Sequence, residues 1–304
     1  VIDPSRFPTD MNLSVECHGD KTRSVVRVDG RELDLACVSA VWWQRPRSAE
    51  ASSLIAPDQR AWASRQAQAL LDGIWDSLDA LWVPGPRRRA EAADSKVRQL
   101  AVAQRLGLKV PRTLVTNEPA RVLAFYDACE GRIISKVLRD GRVTRDGEKH
   151  LAYTHVVQRR DLHDLASVAY APVVFQERVP KRLELRVTVV GERVFSAAID
   201  SQESPFARED FRRADHLVSC TAHHLDPEIE VQCVRLLQAL DLTFGAIDLI
   251  VTPTGEHVFL EINANGQWAW VESRAKLPIA DALAELMLSA PARRSLKERD
   301  DERV

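Results

Sequence analysis

At 304 residues the chain is long enough to build two or three subdomains with cores of their own. Hydrophobic residues make up 45% and charged residues 28%, as in globular proteins, and a net charge of −2 excludes the positive field that sequence-independent nucleic-acid binding requires. No apolar run reaches bilayer-spanning length, residues Val1, Ile2, Asp3 and Pro4 lack the blocks of a secretory signal, and five scattered cysteines without a CxxC pair imply reduced thiols in a cytoplasm.

In chain order, residues 1–56 read as short strands and turns. A hairpin is expected over 24–33, turning at Asp29 and Gly30, and a strand over 38–43, closed by Arg45, Pro46 and Arg47. Pro57 and Asp58 start a helix to about Leu81, with Trp62, Ala69, Leu70, Ile74 and Leu78 as its apolar positions. Trp42, Trp43 and Trp62 read as packing groups. Val83, Pro84, Gly85 and Pro86 break the chain and mark a domain boundary. A helix over 95–106 ends at Gly107, an extended segment covers 110–116, and a third helix runs from Pro119 to about Ala128. A strand over 132–138 carries Lys136. Residues 139–150, rich in glycine and charge, read as a mobile loop, and 156–179 as two strand pieces around an acidic stretch. A hairpin over 185–199 turns at Gly191 and Glu192. A polar loop to about Arg213, a helix over 227–240, two strands, a closing helix over 279–289 and a charged tail from Arg293 to Val304, expected to fray, complete the chain.

The most informative stretch is the last pair of strands. Two β-branched runs, 243–251 and 258–263, are separated by Thr254, Gly255 and Glu256 and read as a hairpin. Asp248 is a lone carboxylate within its run, and Glu261 and Asn263 share a face because strand side chains alternate. Two carboxylates and a carboxamide converging on one point are hard oxygen ligands of the kind Mg²⁺ takes, beside water and phosphate. Each acid alone is as well explained as an ordinary strand-end residue; the three together favour the metal.

A metal of this kind serves phosphates, which call for cations. Lys96 opens one helix, and Lys136 lies between apolar neighbours, where an unpaired charge is costly unless the side chain snorkels out from an edge. Gln176, Glu177 and Val179 end an apolar run, where backbone groups can meet a purine edge. Glu184 and Arg186 share a strand face, an acid for ribose hydroxyls and a guanidinium for phosphoryl oxygens.

The succession Lys96, Lys136, Gln176-Glu177 with Val179, Glu184 and Arg186, Asp210-Phe211-Arg212-Arg213, Asp248, and Glu261 with Asn263 resembles the ATP-grasp superfamily, near RimK-type glutamate ligases, over about residues 80–290. Residues 41–46, 186–191, 198–202 and 263–268 resemble most the ATP-grasp ribosomal peptide maturases, the macrocyclases of microviridin-like peptides (graspetides); Asn263-Ala264-Asn265 stands where Asn-Pro-Asn is usual. The resemblance implies an α/β (α+β) ATP-grasp fold. It comprises an N-terminal pre-ATP-grasp domain over 1–84, seemingly short of its first strand and helix, a central subdomain over 85–182, a C-terminal subdomain over 183–292, and the tail over 293–304.

The resemblance also implies roles. Asp248, Glu261 and Asn263 would hold two Mg²⁺ ions, Lys96 and Lys136 the phosphates of ATP, Gln176, Glu177 and Val179 the adenine, and Glu184 the ribose. Arg186, Arg213 and Lys136 would act at the transferring phosphoryl group. Residues 139–149 would close over it on Gly141 and Gly147. The implied reaction joins side-chain carboxylates of a ribosomal precursor peptide to hydroxyls or amines as ω-esters or ω-amides through an acyl phosphate. The implied partners are the precursor's leader and core and a second copy of the chain as homodimer, with no nucleic acid or membrane. The leader is expected near residues 201–213, where Arg208, Arg212 and Arg213 add positive charge. Trp268 and Trp270, beside the metal set, read either as an acceptor-pocket wall or as packing. No role is expected of the adjacent His223 and His224, which face opposite ways on a strand. A RimK-like ligase adding an amino acid to an acceptor, and a peptide-binding protein without turnover, are the alternatives.

Overall fold

The computed structural model describes residues 1–139, 141–145 and 147–291. The tail expected at 293–304, and Asp140 and Asp146 of the expected loop, lie outside them. The chain divides into two compact units, one of residues 1–87 with those from Leu283 onward, the other Arg88–Ala282.

In the first unit, β1 (Met11–His18), β2 (Lys21–Val28) and β3 (Arg31–Asp34) form an antiparallel sheet. Asp29 and Gly30 both take positive φ (50° and 71°), which a two-residue hairpin turn between right-twisted strands demands. β4 (Ala40–Trp42) pairs in parallel with β5 (Leu81–Val83), a strand where the helix was expected to end and the chain to break. Between them runs α1 (Pro57–Ser77). Its buried stripe is Ala67, Leu71, Ile74 and Trp75, with helical spacing, whereas Trp62 is 60% exposed and Leu70 lies at the surface. Trp62 and the exposed Trp42 are therefore not core residues. Trp43 is, meeting Trp75 and Trp82 edge-on with centroids 6.0 and 5.7 Å away.

The second unit starts with α2 (Arg87–Ala93), whose first residue belongs to the other unit, and α3 (Lys96–Arg105). β6 (Thr113–Thr116), α4 (Pro119–Ala128) and β7 (Ile133–Lys136) follow. Residues expected as a loop instead form an antiparallel hairpin, β8 (Arg142–Arg145) with β9 (Glu148–Leu151). Val143 and Thr144 carry strand propensity that the surrounding charge hides, and Gly147 supplies φ of +80° at the turn. β10 (His155–Val156) and β11 (Val173–Glu177) join β6 and β7 in a four-stranded antiparallel sheet of order β10-β7-β11-β6. The stretch Arg159–Tyr170 between them is 3-10 helical.

β12 (Leu183–Val190), β13 (Arg193–Ile199), β14 (Cys220–Ala222), α5 (Pro227–Ala239), β15 (Phe244–Val251) and β16 (His257–Asn263) complete the frame. Their five-stranded antiparallel sheet has order β14-β13-β12-β15-β16. One face buries Leu185, Val187, Ile247 and Leu249 with Leu100 and Ala103 of α3 and Leu236 and Leu237 of α5 in one core. α6 (Ala269–Ala275) and α7 (Ile279–Leu288) close the described chain. No helix among the described residues is long and apolar enough to cross a membrane, and all five cysteines are free.

Candidate active site

The other face of the five-stranded sheet carries the polar set. Arg186 on β12 stands directly opposite Asp248 on β15, which stands directly opposite Glu261 on β16. Three central strands thus place a guanidinium and two carboxylates in one row. The ladder shifts register just after Asp248, so that Leu249 faces Phe259 and Leu260 is the extra residue. Such a bulge re-aims side chains beside it. Asn263, two residues beyond Glu261, donates Nδ2 to Asp248 Oδ2 and Glu261 Oε1, both at 3.3 Å. Arg186, 8% exposed, donates Nη1 to Asp248 at 2.7 and 3.0 Å and Nη2 to the Gln267 carbonyl at 3.3 Å. That carbonyl is reached because Gly266 lies flat on the sheet. A Cβ there would collide with the Ala246 Cβ and crowd the Arg186 Nη2 at 3.0 Å.

Lys96 ion-pairs with Glu261 from the first position of α3, an unfavourable end of a helix for a cation. Glu261 compensates, and Gln99 fixes the geometry. This buried amide donates to the carbonyls of Ala93 (2.6 Å) and Ile262 (2.7 Å) and accepts from the Ile262 N–H (3.1 Å), binding α3 to β16 between the two acid-set positions. Burial pushes the Glu261 carboxyl up, but the charges of Lys96 and Lys136 outweigh it and hold it at about 2. Burial raises Asp248 instead, opposed by Arg186.

Lys136 reaches this set from the four-stranded sheet. Burial lowers its pKa, Glu261 opposes, and Lys96, Asp248 and Asp210 are its other electrostatic neighbours. Among the described residues its ammonium has no hydrogen bond or ion pair. Gln176 is buried on β11, donates Nε2 to Thr113 Oγ1 at 3.0 Å, and leaves its Oε1 buried without a partner among the described residues. Glu177 is half-buried with its N–H on the Arg112 carbonyl, and Val179 follows just beyond the strand. Glu184 shares the Arg186 face but is paired with Lys181 at 2.8 Å.

Of the adjacent arginines, Arg212 faces the acids. Its guanidinium donates to the buried Asp210 (2.8 and 2.5 Å), with Glu261 and Asp248 further raising its already high pKa. Arg213 points to the Thr154 carbonyl at 3.2 Å and to the Tyr153 ring. Burial would raise Asp210, but Arg212 and the N–H groups of Thr154 and Arg212 bring it down to about 2. Trp270 packs on Phe211 at 5.9 Å and under Arg274 at 5.6 Å. Among the described residues no three His, Cys, Asp or Glu side chains gather into a metal group; the present set is two carboxylates and an amide.

Sequence reasoning brought the acid set, Lys96, Lys136 and Arg186 to one place. It missed Gln99, although that amide lies one helical turn from Lys96. It also missed Asp210 and Arg212 as a unit, and Gly266 as the close approach that lets the loop touch Arg186.

Residues 2–88 match the family described as the MvdD pre-ATP grasp domain. The macrocyclase MdnC from Microcystis aeruginosa MRC, solved bound with precursor peptide MdnA, is 33% identical, with a TM-score of 0.84 over 95% of this chain and 91% of that one. A RiPP-associated ATP-grasp ligase of Chryseobacterium gregarium, in complex with ADP and a leader and core peptide, is 28% identical, with a TM-score of 0.88 over 97% and 89%. The ATP-grasp ligase PsnB, complexed with minimal precursor, Mg and ADP, is 26% identical, with a TM-score of 0.70 over 94% and 87%. No curated protein sequence matches.

Proposed function

This chain belongs to the ATP-grasp macrocyclases that mature ribosomal peptides, and from that membership we propose that it uses ATP to join side-chain carboxylates of a precursor peptide to hydroxyls or amines of the same peptide, giving ω-esters or ω-amides. The observation that carries the reading is the row Arg186, Asp248 and Glu261, met by Lys96, Lys136 and Arg212.

The residues fit Mg²⁺ and ATP. Asp248, Glu261 and Asn263 offer the oxygen donors that magnesium takes, and we assign them two ions. Bound there, the metal supplies charge neutralisation for phosphoryl transfer. Lys136 is a cation without a hydrogen-bond or ion-pair partner among the described residues, and we assign it and Lys96 to the phosphates. The orphaned Gln176 Oε1 suits a nucleobase donor, with Glu177 and Val179 beside it at the adenine. Glu184 is assigned to the ribose, on release from Lys181. The nucleotide is then clasped between residues 85–182 and 183–292, beyond an N-terminal domain over 1–84.

Phosphoryl transfer asks the protein for position and charge rather than covalent chemistry. Arg186, Lys136 and Arg213 are assigned to the transferring group. Arg212, the arginine nearer the acids, is assigned to the substrate carboxylate, which a guanidinium can take in bidentate fashion. The activated acid is an acyl phosphate on the peptide. The acceptor attacks its carbonyl carbon, the bond to phosphate oxygen breaks, and the acceptor's proton leaves. The reading extends to a leader held near residues 201–213 and to a homodimer in the cytoplasm, both carried by family resemblance. Incubation with cognate precursor, ATP and Mg²⁺ should lower the peptide mass by one water per ring. ADP formed without that loss would turn the reading to an amino-acid-adding ligase.

A further inference from the structure

Between β9 and β10 lies a three-residue junction, Ala152 to Thr154, whose backbone is tied in two directions. The Ala152 N–H donates to the Gly141 carbonyl at 2.7 Å, at the stem of the β8–β9 hairpin. The Thr154 N–H donates to Asp210 Oδ2 at 3.2 Å, and the Thr154 carbonyl accepts from Arg213 at 3.2 Å. Immediately after it, β10 pairs with Ile134 and Ser135 of β7, the strand that ends at Lys136. The junction therefore connects the strand of one cation, Lys136, to the turn that carries another, Arg212.

At its centre the half-buried Tyr153 ring serves both arginines. The Arg213 Cζ lies 5.1 Å from its centroid and the Arg212 Cζ 5.9 Å. Consecutive guanidiniums repel each other, and a π face shared between them favours holding both close. Asp210 holds the Arg212 guanidinium by two hydrogen bonds. Arg212 is half exposed, and the ring adds a contact with its guanidinium to the two bonds to Asp210.

We propose that Tyr153 is a positioning residue for ring formation, its ring fixing the Arg212 guanidinium against the substrate carboxylate while taking no part in nucleotide binding. This rests on the proposed assignment of Arg212. The ring matters and the hydroxyl does not, so Tyr153→Phe should retain wild-type kinetics. Tyr153→Leu, which fills the space without a π face, should lower kcat for ring formation about twofold to fivefold, the range of one lost cation–π contact at a half-exposed site. KM for ATP should stay within about twofold. Because the effect runs through Arg212, Tyr153→Leu should cost little more in an Arg212→Gln background.

The experiment is the kinetic cycle of wild type, Tyr153→Leu, Arg212→Gln and the double variant, with Tyr153→Phe as the conservative control. Equal losses in the Phe and Leu variants, an unchanged kcat in the Leu variant, or additive losses in the double variant would overturn the proposal. If wild type itself closes no ring on its precursor, the functional reading fails separately. The positioning is then read from the arginine Nε–Hε NMR signals. Displacement of the Arg212 signal in Tyr153→Leu, with none in Tyr153→Phe, supports it, and an Arg212 signal unmoved by the loss of the ring overturns it.

Discussion

The two faces of the five-stranded sheet are made by the same strands and do opposite things. Along β12, Leu185, Val187 and Val189 are buried in the core beneath α3 and α5, while Glu184, Arg186 and Thr188 alternate onto the other face. Along β15 the same alternation puts Ile247 and Leu249 in the core and Asp248 between them on the polar face. The apolar face is interchangeable chemistry, held by burial. The polar face is specific, with Arg186 placed against Asp248 and, from outside the sheet, Lys96 against Glu261. Adjacent residues in one strand are thus divided between the core and the proposed site.

The widest test of that division is Glu261→Ala. It removes an acid from the row and leaves Lys96 without its ion-pair partner, while the core beneath is untouched. Steady-state assays should show ring formation reduced about thousandfold or more, the scale of losing charge stabilisation at phosphoryl transfer, with circular dichroism still reporting a folded protein. Near-normal turnover at ordinary magnesium would remove Glu261 from the site.

The complementary change is Leu249→Ala, one residue from Asp248 but on the buried face, where Leu249 is 1% exposed. Denaturant titration should register a loss of about 2–5 kcal/mol. The folded fraction should keep its kcat within about twofold. A large fall in kcat with unchanged stability would show that the faces are not separable.

A smaller effect sharpens how Arg212 is held. Asp210 sits at about 2 against an ordinary 3.8, so it binds fewer protons folded than unfolded. Its contribution to stability is present above about pH 4 and is lost as pH falls toward 2. With its partner half exposed, the contribution is about 1–2 kcal/mol. Thermal unfolding of wild type and Asp210→Asn should therefore differ most above pH 4 and converge toward pH 2. A gap that widened on acidification would contradict the ion-pair account.

How far the sequence shows this depends on whether a residue obeys a period. Asp248, Glu261 and Asn263 were legible because strand alternation assigns faces without knowing the fold. The five-strand order was not, since nothing local says that β12 lies between β13 and β15. In α1, residue type misled. Trp62 and Leu70 are apolar but exposed, and the buried face is Ala67, Leu71, Ile74 and Trp75. The β8–β9 hairpin read as a loop because its pairing is local and half of its strand residues are charged. Arg212 and Arg213 lie in a 3-10 turn, where no alternation tells which of two neighbours faces the acids. Gln99 was silent for a related reason: a helical amide bonded to a distant strand has no signature in its own segment.

The proposed chemistry is activation of a peptide carboxylate by phosphoryl transfer. It is tested most directly by supplying the precursor with ¹⁸O in its acidic side chains and following the label through one round of ring closure. An acyl phosphate predicts one labelled oxygen per ring in the released phosphate, together with ADP. Label appearing in AMP would identify an adenylate and contradict the account.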